Sequence, residues 1–173
     1  MYYRKLLSVF AALTLLPGCA AMTGHPQTAE DFRQAVPGAM TAKVESFEVN
    51  RPFADVAATF SSKAPECLDV TIRTTSKTNM SYQVIVTDYN PTVRVSDNRA
   101  ELHMQMHHEA GVLNVTKEPP GGYYMMVADA SPVDHQTTRI DLYRPAYGYG
   151  LLTKTIKAWA DGSNTGCPDM AKL

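Results

Sequence analysis

The 173-residue chain has no excess of charge of either sign. It carries 16 basic and 17 acidic side chains, which gives a formal net charge of −1. Proteins that bind nucleic acid need a basic surface, and long blocks of like charge mark charged tails. The sequence has neither feature, nor any repeat or low-complexity segment. We therefore expect no nucleic-acid partner.

Motifs of the common catalytic sites are also missing. The sequence contains no Gly-x-Ser-x-Gly nucleophile turn, no glycine-rich phosphate loop and no His-Glu-x-x-His helix. Asp134 and His135 are neighbours, but an acid–base pair needs convergence in space rather than adjacency in a predicted loop. We interpret the pair as part of a solvated turn. We expect neither an enzyme nor a bound cofactor.

Long apolar runs are missing too, and the one apolar run that stands out lies near the N-terminus. Arg4 and Lys5 precede the eleven largely apolar residues Leu6–Leu16. This run is too short to span a hydrocarbon core of roughly 30 Å as a helix, but it has the length of a signal-peptide core. Pro17 and Gly18 then break the helix.

The segment Leu16-Pro17-Gly18-Cys19 resembles the lipobox of bacterial lipoproteins. In that family the peptidase cuts before the cysteine, and the cysteine thiol carries a diacylglyceryl group. The resemblance implies a signal peptide over residues 1–18, cleavage between Gly18 and Cys19, and lipidation of Cys19. Pro17 departs from the usual pattern. The alternatives are an ordinary secretory signal cleaved at residues 20–21 and a structural cysteine.

The residue after the cysteine carries information about the membrane. Lipoproteins retained in the inner membrane typically have Asp there, whereas this chain has Ala20. The resemblance therefore implies a lipid anchor in the outer membrane, with the domain facing the periplasm. Several acyl chains give stable anchoring without a transmembrane helix.

Composition divides the mature chain into a tether and a domain. Residues 19–42 contain few large apolar residues and are predicted to be the lipidated cysteine followed by a flexible tether. Extended, residues 20–42 would reach about 75 Å at roughly 3.3 Å per residue. Thr28 and Asp31 have capping-box spacing, which indicates at most a short helix at Ala29–Ala35. A single α+β domain is predicted over residues 43–173.

Apolar periodicity predicts the elements of this domain. A strand begins at Lys43, and Arg51-Pro52 opens a helix that ends at Pro65. Five to seven antiparallel strands follow, including a short one over 112–115. A helix over Gly150–Ala160 then completes the domain. Its apolar face consists of Leu152, Ile156 and Trp159.

This element order resembles the helix-grip architecture, in which an antiparallel sheet wraps a C-terminal helix. Small domains in accessory lipoproteins of the outer-membrane assembly machine have a similar arrangement, as do START-type lipid-binding domains. The resemblance lies in the order of the elements.

The strand at residues 102–108 combines methionines with histidines, which is a donor set that Cu(I) prefers. The period of two places Met104 and Met106 on one face and His103 and His107 on the other. The two histidines are roughly 13 Å apart at about 3.3 Å per residue, too far to share one ion. We predict a structural strand with no metal, in which the methionines are buried and the histidines are more exposed.

The cysteines complete the set of candidate site residues. If Cys19 is lipidated, Cys67 and Cys167 remain as an even pair in an oxidising compartment. We predict a disulfide between them. It closes a loop of about 100 residues, for which the chain-entropy model gives on the order of 4.7 kcal/mol.

Two functions are consistent with these expectations. The first is a non-catalytic envelope lipoprotein that acts as an interaction or accessory protein for an envelope partner. The second is a binding protein for an apolar or lipid-like ligand in a cleft between the sheet and the C-terminal helix. Tyrosine and arginine are enriched at interfaces but also pack at strand–helix corners. Five such residues precede the last helix: Arg139, Tyr143, Arg144, Tyr147 and Tyr149.

Overall fold

A computed structural model describes residues 25–77, 82–108 and 118–173. The predicted strand at 112–115 lies outside these residues. The helices are α1 (Ala29–Ala35), α2 (Phe53–Leu68) and α3 (Gly150–Asp161). The strands are β1 (Ala42–Val49), β2 (Val70–Lys77), β3 (Tyr82–Ser96), β4 (Arg99–His108), β5 (Tyr123–Pro132) and β6 (Thr138–Pro145). Single 3-10 turns occupy Val36–Gly38 and Met170–Lys172.

The strands form one antiparallel sheet. Among the described residues it has six strands in the order β1-β6-β5-β4-β3-β2. Neighbours in sequence are neighbours in the sheet from β2 to β6, and β1 closes onto β6 with Ala42 opposite Pro145. This is the α+β, helix-grip-like order that the sequence predicts, with α2 after the first strand and α3 after the last.

One face of the sheet packs against α2 and α3. Strand alternation directs every second side chain to this face, and on β6 these include the fully buried Ile140 and Leu142. The other buried strand residues of the same cluster are Val49, Tyr89, Ala100, Leu102, Met104, Met126, Ala128 and Ala130. Val56, Ala57 and Phe60 of α2 join this core, since their spacing places them on one face of the helix.

Helix α2 runs past Pro65, so the predicted end of this helix is wrong. Proline lacks the N–H that would bond to the carbonyl of Ser61, but only one such bond is lost near a helix end. Ala64 and Leu68 are fully buried on either side of the exposed Pro65. Their burial holds the last turn in place and outweighs the missing bond.

Helix α1 corrects the predicted domain boundary. The Thr28 side chain accepts from the backbone N–H of Asp31, and the Asp31 carboxylate accepts from the N–H of Thr28, which completes the capping box. Phe32 and Val36 are buried against Val127 on the second face of the sheet. The folded part therefore includes residues 28–38, which the sequence assigns to the flexible tether.

Two features stabilise the C-terminal end of helix α3. Gly162 adopts the left-handed conformation (φ 84°) that ends a helix with little strain in glycine. Arg51, just before α2, donates to the carbonyl oxygens of Trp159 (2.9 Å) and Ala160 (3.1 Å). This link fixes the end of α3 to the start of α2. None of the described helices is both long and apolar enough to cross a membrane.

Candidate functional site

The predicted anchor residues lie outside the described part of the chain. Cleavage between Gly18 and Cys19 and lipidation of Cys19 therefore stay predictions. The first described residue is His25, whose ring packs edge-on against Tyr123 with centroids 4.7 Å apart. The chain thus meets the sheet six positions after Cys19.

The structure contains the predicted disulfide. Cys67 and Cys167 are bonded, with Cα atoms 4.9 Å apart, and they are 100 positions apart in sequence. Cys67 lies in the last turn of α2, and Cys167 lies in the C-terminal segment, residues 163–173. Glu66 is close to both sulfur atoms. Because the two sulfurs are bonded to each other, this group is not a free set of metal ligands.

Side chains fill the space between the sheet and α3. Leu152 and Ile156 are fully buried and Trp159 is 1% exposed, in one cluster with the buried residues of the strands. The predicted packing of α3 through these three residues is confirmed. None of the three lines the groove beside β2 and β3 or the cleft on the outer side of α3. The position predicted for an apolar ligand is therefore occupied by the protein's own core.

The cleft on the outer side of α3 lies between the helix and the C-terminal segment. Its volume is about 300 Å³. The helix contributes Leu151, Lys154, Thr155 and Ala158, and the C-terminal segment contributes residues 165–169 and Lys172. The lining is mostly apolar. We call this feature the α3 cleft.

The two lysines of the α3 cleft differ in whether they form an ion pair. Lys172 forms an ion pair with Asp169 at 2.9 Å, and this bond lowers the pKa of the exposed Asp169 carboxyl. Lys154 is exposed and forms no ion pair with the described residues. The disulfide at Cys167 holds the segment that forms the outer wall. The cleft thus presents apolar surface beside one uncompensated positive charge.

A charged cluster fastens α3 to the edge strand β1. Glu45 accepts from Lys157 at 2.8 Å, from the buried Arg144, and from Lys43 at 3.1 Å. The bond from Lys157, with those from Arg144 and Lys43, holds the pKa of Glu45 at about 2, below its ordinary 4.5. The Lys157 side chain is 43% exposed, and its ammonium also lies 5.2 Å from the ring centroid of Phe47.

The predicted group of tyrosines and arginines does not form one surface. Arg139 pairs with Asp141, Tyr143 packs near α1, Arg144 pairs with Glu45, and the hydroxyl of Tyr149 donates to Sδ of Met125. Tyr147 differs, because it is 81% exposed in the loop between β6 and α3. Met40, in the loop before β1, is 100% exposed.

Met40 and Tyr147 belong to neighbouring loops. The backbone N–H of Ala146 donates to the carbonyl of Thr41 at 2.8 Å, which joins the two loops directly. We call Met40 and Tyr147 the apolar tip. The sequence does not identify either residue as exposed, because exposure in a loop depends on what packs over it.

On the helix-facing side of β4 the prediction is confirmed for Met104 and only in part for Met106. Met104 is fully buried and Met106 is half-buried. On the other side, 43% of the His107 side chain is exposed, and its Nδ1 lies 2.8 Å from the Glu118 carboxylate. The methionines of this strand therefore serve as core residues.

The predicted exposure of His103 is wrong. Its exposed fraction is 2%, because Tyr124 and α1 cover the second face of the sheet at this point. The His103 ring lies 5.4 Å from that of Tyr124, and its Nδ1 is 3.1 Å from Glu101. Burial lowers the pKa of His103 more than the bond to Glu101 raises it.

A nearly buried ionic cluster beside His103 attaches α1 to the sheet. Arg33 of α1 binds the Asp129 carboxylate through two bonds of 2.7 and 2.8 Å, and it also binds Glu101. The side chains of these three residues are 10–13% exposed. Arg99 adds a bond of 2.9 Å to Asp129. The bonding residues are 68 and 96 positions apart, so no local sequence signal predicts the cluster.

The polar groups of two further regions form hydrogen bonds within the protein. A surface groove of about 490 Å³ is crossed by bonds from Thr71 to Asp88 (2.6 Å) and from Asn90 to the carbonyl of Gly121 (3.2 Å). Asp134 accepts from the backbone N–H groups of residues 136 and 137 at 2.7 and 2.8 Å. Its carboxylate closes the turn before β6, in line with the predicted solvated turn.

Neither a protein-family model nor a curated protein sequence matches the chain. A solved structure with some likeness is norcoclaurine synthase from Thalictrum flavum in complex with dopamine and hydroxybenzaldehyde, at 14% identity and a TM-score of 0.36. The match covers 69% of this chain and 83% of the other. A likeness this low implies nothing about activity.

Proposed function

We propose that this protein is a non-catalytic interaction protein of the bacterial envelope, anchored by lipid on Cys19 in the outer membrane, with its domain in the periplasm. The lipobox residues and Ala20 support the anchor and the membrane. The core beneath α3 supports the interaction part, because buried side chains of the described residues occupy the position where an internal ligand was expected. The protein then acts through its outer surface.

The α3 cleft is the part of that surface best suited to a protein partner. It offers mostly apolar lining on a helix and a segment joined to the rest of the domain by a disulfide. The unpaired Lys154 favours a partner that brings an acidic group next to an apolar side chain. A rigid apolar cleft with a charged neighbour is typical of a specific docking surface.

The anchor is tested by labelling and fractionation. Labelled palmitate should be incorporated into the wild-type protein and not into Cys19→Ser. On a density gradient the wild type should sediment with outer membranes, whereas Ala20→Asp should move to inner membranes. Equal labelling of the wild type and Cys19→Ser would refute the lipid anchor.

The docking surface is tested by crosslinking in intact envelopes. A photoreactive amino acid at Ala158 should give one discrete protein adduct, and the same group at the exposed turn residue Asn98 should give none. The adduct at position 158 should weaken at least threefold in Lys154→Glu, because the charge that attracts the acidic partner is reversed. An adduct pattern that is the same at both positions would contradict the assignment.

The second candidate is the binding of an apolar or lipid-like ligand, and the α3 cleft is the observation that favours it. Its volume of about 300 Å³ lies at the lower end for small-molecule sites. A fatty acid or lysophospholipid should then raise the melting temperature of the Cys19→Ser protein, and Ala158→Trp should abolish the rise by filling the cleft. Saturable stabilisation of this kind would favour a carrier over an interaction protein.

A further inference from the structure

The docking of α1 shortens the tether between the proposed anchor and the folded domain. Had residues 20–42 been free, the domain could have moved about 75 Å from the membrane at roughly 3.3 Å per residue. His25 already packs on Tyr123, and Arg33 is bound to the sheet. From Cys19 to His25 the backbone spans at most about 22 Å at roughly 3.6 Å per residue. The membrane must lie close to this part of the domain.

The sheet register shows which end of the domain this is. His25 contacts the start of β5, and antiparallel pairing sets the start of β5 at the same end as the last residues of β6. Pro145 at the end of β6 is opposite Ala42 at the start of β1. The loops that carry the apolar tip, Met40 and Tyr147, extend from these two positions. The tether and the apolar tip therefore share one end of the sheet.

The two side chains of the apolar tip are exposed, so packing within the domain does not account for an apolar residue at either position. Met40 is 100% exposed and Tyr147 is 81% exposed. Methionine adapts to irregular apolar surroundings, and tyrosine is enriched where an apolar region meets water, as at a membrane surface. The β2–β3 hairpin reaches past the same end and carries Val84, which is 48% exposed. The exposed side chains of β2 beside it are polar, which suits water better.

We infer that the apolar tip rests on the lipid bilayer that holds the anchor, so that the domain stands on the membrane in one orientation. This inference rests on the proposed lipidation of Cys19. Lys43 at the start of β1 lies at the same end; its ammonium pairs with Glu45 at 3.1 Å, but 53% of its side chain is exposed, and a cation at this end would favour anionic headgroups. The turn at Asp97–Asn98 and the loop at Val133 lie at the opposite end, away from the bilayer.

The experiment uses the full-length lipidated protein in vesicles of phosphatidylethanolamine and phosphatidylglycerol, with and without bromine on the acyl chains. Tyr147→Trp and, independently, Met40→Trp place a fluorescent probe at the apolar tip. Val133→Trp, at a position that is 52% exposed, is the matched control at the opposite end. The native Trp159 is 1% exposed in the core and supplies the unquenched baseline.

Brominated lipid should reduce the added fluorescence at both tip positions at least twofold and leave that of Val133→Trp unchanged. Adding Met40→Asp to Tyr147→Trp should restore most of the signal while the protein still floats with the vesicles. Equal quenching at the two ends, or quenching of Val84→Trp instead of the tip, would overturn the orientation. If the protein floats but the tip is not quenched, this inference alone fails. If Cys19 carries no lipid and the protein does not float, the proposed function fails and takes this inference with it.

Discussion

Replacing Trp159 by alanine tests the closed core on which the proposed function depends. The indole is 1% exposed and packs with Leu152 and Ile156 between α3 and the sheet. Truncating a buried tryptophan costs roughly 3–5 kcal/mol, a large part of the 5–15 kcal/mol by which a domain is typically stable. At about 2–4 °C per kcal/mol for a domain of this size, the melting temperature should fall by roughly 6–20 °C.

The structure adds a second expectation at the same position. Nε1 of Trp159 is buried and has no hydrogen-bond partner among the described residues. An unsatisfied buried donor costs about 1–3 kcal/mol. Trp159→Phe loses some packing but also removes this donor. It should therefore destabilise the domain by less than half as much as Trp159→Ala.

Both variants are measured by thermal melting of the Cys19→Ser protein, followed by circular dichroism, and checked by urea denaturation. Lys154→Ala is the matched control on the same helix, and it should melt with the wild type because Lys154 is exposed. If Trp159→Ala melts within about 2 °C of the wild type, the reasoning about the core is wrong, since the expected fall is several times larger. If the phenylalanine variant loses as much as the alanine variant, the argument about the unsatisfied donor is refuted.

The ionic contacts and the disulfide support three further predictions. The pKa of Glu45 is about 2 in the folded protein against an ordinary 4.5, so its stabilisation is present above pH 4.5 and is lost as the pH falls towards 2; melting curves of Glu45→Gln should lack this pH dependence. Replacing Cys67 and Cys167 by serine should cost up to about 4.7 kcal/mol by urea denaturation, and reduction of the wild type should match the double variant. Arg33→Met should cost about 3 kcal/mol by the same measurement, the lower end of the range for a broken buried ion pair, because among the described residues Glu101 and Asp129 keep Arg99 and His103 as partners.

Local signals in the sequence were sufficient for most of the elements. The apolar spacing on α2 and α3, the capping box at Thr28 and the turn residues predicted their elements because each signal lies within a few positions. The predicted end of α2 at Pro65 was wrong because the effect of a proline on a helix depends on the packing of the residues around it. A proline near the end removes one bond, and the burial of Ala64 and Leu68 outweighs that loss.

The charged contacts of the site could not be predicted in the same way. Glu45, Arg144 and Lys157 come from β1, β6 and α3, and each looks like an ordinary solvated residue of its own element. The pairing depends on the register of β1 on β6, and the alternating pattern alone does not determine it. The α3 cleft likewise could not be predicted, because it forms only where the C-terminal segment packs beside α3. The disulfide at Cys167 holds that segment in place.

The two larger errors, the flexible tether and the exposed His103, have one cause. Alternating polar residues on β4 and β5 indicate a face in water, yet the charges at Glu101 and Asp129 bind Arg33 of α1. A helix of seven residues is too short to be stable alone, so its formation depends on tertiary contacts that no periodicity reveals. The same contacts bury His103 and draw residues 28–38 into the domain. The polar face of a strand therefore indicates either contact with water or a docked charged helix, and which of the two applies sets how much free chain precedes the domain.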